Sequence, residues 1–265
     1  MDSTMRYLWL GLLILLSSIS YAEQPIHITP QEAMNIGMKI WYNESGGKIA
    51  GLTYWDKDEN FPSLGIGHFT WYSSPGRKSN DTFPYLIKFM AARGVSVPRW
   101  LLNDPNMPCP WRTREEFLQS YDTPPMIELR QFLLATIPYQ VEFMIRRMER
   151  ALPHILQSAQ PEDRDYVREQ FYLVASTRQG VYALVDYINF KGEGVVKNPY
   201  FTGENWGLLE VLETMRLAPP DMNSLQAFVW SANAVLTRHA LLAPPDENAL
   251  QWLGGWRNRL KTYLE

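Results

Sequence analysis

The chain has 265 residues, with 25 basic and 28 acidic side chains and a formal charge of -3. A hydrophobic fraction of 46% with 13% aromatics excludes a disordered chain, which lacks the apolar surface to offset chain entropy. The small acidic balance argues against a general nucleic-acid binder, since phosphate contacts need a net basic face.

The N-terminus reads as an address. Arg6 precedes the apolar run Leu8–Leu16, and the small and polar residues Ser17 to Ala22 follow. A charged start, a short apolar core and a Ser-x-Ala pattern predict a cleaved export signal over residues 1–22. The run is too short for a spanning helix of roughly 20 apolar residues, so no stable membrane insertion is expected after cleavage. The expected destination is the periplasm or the outside of the cell. Asp2 and Arg6 leave together, so residues 23–265 keep the same net charge. Cys109 is the one cysteine, so no internal disulfide exists and stability must come from a core.

Past the signal, Thr29-Pro30-Gln31-Glu32 is a capping box with Pro at the first helical position. It predicts a helix from Pro30, with an apolar face at Ile36, Ile40 and Trp41, ending at Ser45-Gly46-Gly47. Two extended runs follow, Ile49–Trp55 and Ser63–Phe69, joined by a polar turn from Asp56 to Asn60, which predicts a β-hairpin with a wide loop. Beyond it the pattern is helical over 85–93, 113–121, 126–156 (broken at Pro138 and Pro153), 162–189, 206–215, 224–242 and 247–263. Pro pairs punctuate these segments. The expected fold class is α+β and predominantly α-helical, as one domain over 23–265 with a small β-hairpin near its N-terminus.

Glu44 lies four residues after Ile40 and eight after Ile36, hence on the inward face of the first helix. Its place in the last turn and its partial burial both disfavour a charged carboxylate, and the expectation is a raised pKa. A carboxylic acid that keeps its proton can protonate a glycosidic oxygen. Gly65 and Gly67 offer close backbone approach to a flat sugar chain, or else a bulged strand. No paired His spacing marks a zinc site, and no phosphate-binding loop, dinucleotide fingerprint or serine-hydrolase elbow is present, so neither metal nor cofactor is expected.

Glu44 at a helix end, acids in the following turn, and Ser63-Leu64-Gly65-Ile66-Gly67-His68 together resemble the phage-type lysozymes over residues 41–68. The resemblance implies a lysozyme-like domain with an enlarged helical lobe and peptidoglycan glycan strands as substrate. It puts Glu44 at the general acid, Ser63 at the hydroxyl residue, and Gly65, Gly67 and His68 on the second strand. Asp56 or Asp58, with Glu59 as a further candidate, would be the second carboxylate, activating water with the Ser63 hydroxyl. Two carboxyls roughly 6.5–9.5 Å apart leave room for that water and invert the anomeric centre.

Later, Gly207-Leu208-Leu209-Glu210-Val211 is similar to a lytic-transglycosylase signature, although there that signature closely follows the catalytic Glu-Ser pair. Glu193 and Trp206, with Lys191 and Glu210, are candidate saccharide-groove residues. Two alternatives to hydrolysis stand beside it: a lytic transglycosylase using Glu44 alone, and a non-catalytic module binding wall glycan or a protein.

Overall fold

Thr29 caps the first helix, α1 (Pro30–Ser45), as its sequence predicts. Its hydroxyl accepts from the Glu32 backbone N–H while the Glu32 carboxylate accepts from the Thr29 N–H. The buried side of α1 carries Ala33, Ile36, Gly37, Ile40 and Trp41, and Gly46 ends the helix in the left-handed region at φ 64°. In this computed structural model residues 25–73, 81–104, 106–196, 205–244 and 247–265 are described. The expected export signal, residues 1–22, lies outside them.

The stretch after α1 differs from the expected hairpin. Ile49–Leu52 forms a 3-10 turn, so the first extended run shrinks to β1 (Thr53–Tyr54). The turn is drawn tightly under the end of α1: a Cβ on Gly51 would stand 2.3 Å from the Ser45 Cβ. The second run divides into β2 (Ser63–Leu64) and β3 (Phe69–Thr70) around a turn at Gly65–His68. The outcome is a three-stranded antiparallel sheet in the order β1-β2-β3. Tyr54, Ser63 and Thr70 are cross-strand partners and share one face; Thr53, Leu64 and Phe69 share the other.

The rest of the described chain is helical: α2 (Thr82–Ala91), α3 (Arg114–Gln119), α4 (Pro124–Ala135), α5 (Ile137–Ser158), α6 (Arg164–Ala175), α7 (Arg178–Lys191), α8 (Leu208–Thr214), α9 (Ser224–Leu242) and α10 (Leu253–Lys261). α9 has its expected bounds, set by a capping box between Asn223 and Gln226. Pro138 sits in the first turn of α5, and the helical run breaks just before it at Thr136. Pro153 does not end α5, contrary to expectation. The buried Leu152, Ile155 and Leu156 anchor that last stretch and offset a local cost of about 3 kcal/mol. The expected single helix over 162–189 is two, because the Thr177 hydroxyl caps a new start by accepting from the Gly180 N–H.

α1 lies against α5, where a Cβ on Gly37 would meet Ile137 at 2.3 Å. A continuous apolar cluster runs from Ala33 to Tyr263 through both the sheet and the helices. Cys109 is buried within it, and burial pushes its thiol up to about 12, consistent with a small inert core residue. Among the described residues no helix is long and apolar enough to cross a membrane.

Candidate active site around Glu44

Three elements converge on the end of α1. Glu44 is on the inward face that Ile36 and Ile40 define, and its side chain keeps 14% of its exposure. Arg259 from α10 donates from Nη2 to Glu44 Oε1 at 2.6 Å. The same oxygen accepts from Asn189 Nδ2 of α7 at 3.4 Å. The other, Oε2, stands 3.3 Å from Nδ1 of His68 in the β2–β3 turn. A lone acid at a helix end has become the centre of a polar cluster.

Arg259 is itself held from behind. Its Nε and Nη2 donate to the two carboxylate oxygens of Asp186 at 2.7 and 2.9 Å, a bidentate pair. Asp186 is wholly buried and also accepts from the Tyr263 hydroxyl at 2.6 Å. The Arg259 guanidinium stacks over Phe190, 4.4 Å from the ring centre. Burial works against the charge of Arg259, yet Asp186, with Glu44 behind it, raises its pKa above the ordinary value. The cluster therefore places two carboxylates around one guanidinium.

The His68 backbone is left-handed at φ 49°, a conformation that few non-glycine residues adopt and that functional sites favour. The turn is pinned by the buried Gln140 of α5, whose Oε1 accepts from the Ile66 N–H at 2.9 Å and whose Nε2 donates to the Leu133 carbonyl at 2.6 Å. Burial lowers the His68 pKa; Glu44 opposes that and Arg259 adds to it. The imidazole is thus neutral at pH 7, and its Nδ1–H is the donor that suits Glu44.

From His68 the cluster continues to the hairpin acids. The Tyr54 ring stacks on His68 with centroids 6.5 Å apart, and the Tyr54 hydroxyl donates to Asp56 Oδ2 at 3.0 Å. Asp56 Oδ1 accepts from the Asp58 backbone N–H at 2.9 Å. These two hydrogen bonds, the backbone one first, hold the Asp56 carboxyl below the usual carboxylate range. Asp58 contributes that N–H alone: its carboxylate is 81% exposed beside Lys57. Asp56 is thus the hairpin acid linked to Glu44. The Glu59 backbone carbonyl accepts from the Trp55 indole, and burial raises its carboxyl pKa. Ser63 lies buried on the Tyr54 face of the sheet.

Other sequence-based candidates fall elsewhere. Gly65 and Gly67 are buried against α5 rather than open to a ligand. A Cβ on Gly65 would stand 2.3 Å from Gln140 Oε1, and one on Gly67 would be 2.9 Å from the Phe69 ring. Their smallness serves interior packing, which corrects the expected sugar approach. Trp206 is buried, stacked on His239 with centroids 4.7 Å apart, and His239 stacks in turn on Trp256. Trp206 and Glu193 do both line one cavity, which Asn189 connects to Glu44. Glu210 pairs with Arg238.

Arg259, Tyr54 and Gln140 were not singled out from the sequence, and Asp186 and Asn189 stood out only as part of the motif stretch 186–194, with no role of their own. Asp186 and Asn189 are one turn apart on α7, a spacing that places them on one face but does not reveal a partner 73 residues away. Among the described residues no cluster of His, Cys, Asp and Glu could hold a metal ion. No protein-family model, curated protein or solved structure matches the chain.

Proposed function

We propose that the chain is an exported, lysozyme-like glycoside hydrolase that cleaves the glycan strands of peptidoglycan. The observation that carries this reading is the setting of Glu44. It is a largely enclosed carboxyl at a helix end, met by His68 from a Gly-rich turn, with Tyr54 standing between His68 and Asp56.

In this reading Glu44 gives its proton to the leaving sugar oxygen. Asp186 and Glu44 share the Arg259 guanidinium, so two carboxylates meet one cation beside the scissile bond in this reading. After the bond breaks, Arg259 and His68 stabilise the carboxylate that forms. Asp56, kept charged by Tyr54 and the Asp58 N–H, accepts a proton from the attacking water, with Ser63 on the same sheet face. The uncharged Gln is nearly isosteric with Glu. Glu44→Gln is therefore expected to abolish release of muropeptides from purified cell-wall sacculi while the circular dichroism spectrum stays unchanged. Undiminished release by that variant overturns the assignment.

A second reading keeps Glu44 and drops the second carboxylate. The openness of Asp56 to solvent favours it, since a fixed nucleophilic water is more easily held by an enclosed base. Glu44 then acts as acid and base in turn, as in a lytic transglycosylase. Mass spectrometry separates the two, because an anhydro-sugar end is one water lighter than a hydrolysed reducing end.

A further inference from the structure

Beside the Glu44 cluster lies an open cavity of about 880 Å³ between α5, the end of α7 and the described residues 192–196 and 205–207. Its polar lining is unbalanced. Arg147, Arg150 and His154 project from one face of α5 at spacings of three and four residues. Lys191, the last residue of α7, also lines the cavity, with its ammonium 3.9 Å from the centre of the Trp256 ring. Among the described residues none of Arg147, Arg150 and Lys191 has a carboxylate in ion-pair contact. Glu193, the one acid on the wall, stands 3.8 Å from His154. The floor between the cations is apolar, formed by Met144, Met148, Val185 and Ile188.

Arg147 and Arg150 are exposed and Lys191 lies over the Trp256 and Phe190 rings, so the wall offers positive charge beside an apolar floor, and an anion with small apolar groups is its complement. Burial and the nearby Arg259 hold the Lys191 ammonium down at about 8, an arrangement that a bound anion would relieve. Asn189 lines the cavity at the same time as it hydrogen-bonds Glu44, so a ligand here sits next to the bond that Glu44 would protonate.

We propose that this cavity seats the peptide stem of peptidoglycan, with the stem carboxylates held by Arg147, Arg150 and Lys191 and its alanine methyl groups on the Met148–Ile188 floor. The proposal deepens the reading of Glu44 as a wall-glycan acid and rests on it. It makes the enzyme a reader of peptide-bearing glycan rather than of sugar alone.

Isothermal titration of the full chain with the free stem peptide Ala-γ-Glu-diaminopimelate-Ala tests this without any turnover. The expected result is saturable binding that weakens at least about tenfold in the Arg147→Gln/Arg150→Gln double variant and on amidation of the peptide carboxylates. The Arg147→Lys/Arg150→Lys variant, which keeps the charge, retains part of the affinity. All these changes are at exposed positions, and thermal melts confirm that each variant is folded. Equal binding of the amidated peptide, unchanged affinity in the double Gln variant, or no binding at millimolar peptide overturns the proposal. Binding without Glu44-dependent muropeptide release overturns the glycosidase reading and leaves the cavity assignment in place. Release without peptide binding does the reverse.

Discussion

Asp56 shows how much of a role is decided by two hydrogen bonds. Alone on an exposed loop it would titrate like any aspartate. The Asp58 N–H and the Tyr54 hydroxyl favour its charged form and lower its pKa. A base must be deprotonated to work, so lowering its pKa extends activity towards acid. If Asp56 is the water-activating base, the acid limb of kcat/KM against pH lies below the range of an ordinary aspartate. Tyr54→Phe, which removes one of the two donors, moves that limb upward. Asp56→Asn costs about 10²-fold or more in kcat, the scale of a lost general base. A kcat unchanged in Asp56→Asn would assign the chemistry to Glu44 alone and favour the transglycosylase reading.

At the scale of elements, the β2–β3 turn is the piece whose local and tertiary requirements agree. Gly65 has φ 70°, a value that other residues reach only with strain, and the space beside it is filled by Gln140. The same Gln140 holds the Ile66 N–H, and two residues later His68 reaches Glu44. Gly65→Ala therefore combines backbone strain with overpacking of a buried amide. Urea unfolding is expected to show a loss of about 2–4 kcal/mol. The variant should also lose activity before it unfolds, since a displaced turn withdraws His68. A stability within 0.5 kcal/mol of the parent chain, in the range of ordinary surface changes, would contradict this account of the turn. The 3-10 turn at Ile49–Leu52 teaches the opposite lesson. Its residues read as a strand, but the close approach of Gly51 to Ser45 leaves no length for extended chain.

Over the whole molecule, legibility follows the range of the interaction. α1 could be read because its cap, its apolar face and its terminating Gly46 are local, and Glu44 came with it. The helical character of the described residues from 82 onward and the bounds of α9 were legible for the same reason. Asp186 and Arg259 were not, since each is an unremarkable charged residue on its own helix and only tertiary packing makes them a pair. That pair also ties α10 to α1: Arg259 and Tyr263 clasp Asp186, and Arg259 reaches Glu44. Asp186→Asn keeps the shape and removes one charge from this clasp. The buried guanidinium is then left with Glu44 alone, and the expected cost is about 3–5 kcal/mol in chemical unfolding, as when one partner of a buried ion pair is lost. Leu substituted at the same position, with no acceptor for Arg259 or Tyr263, should be worse on stability than Asn. An Asp186→Asn chain whose stability stays within 0.5 kcal/mol of the parent would mean that Glu44 and Phe190 hold the Arg259 guanidinium without Asp186.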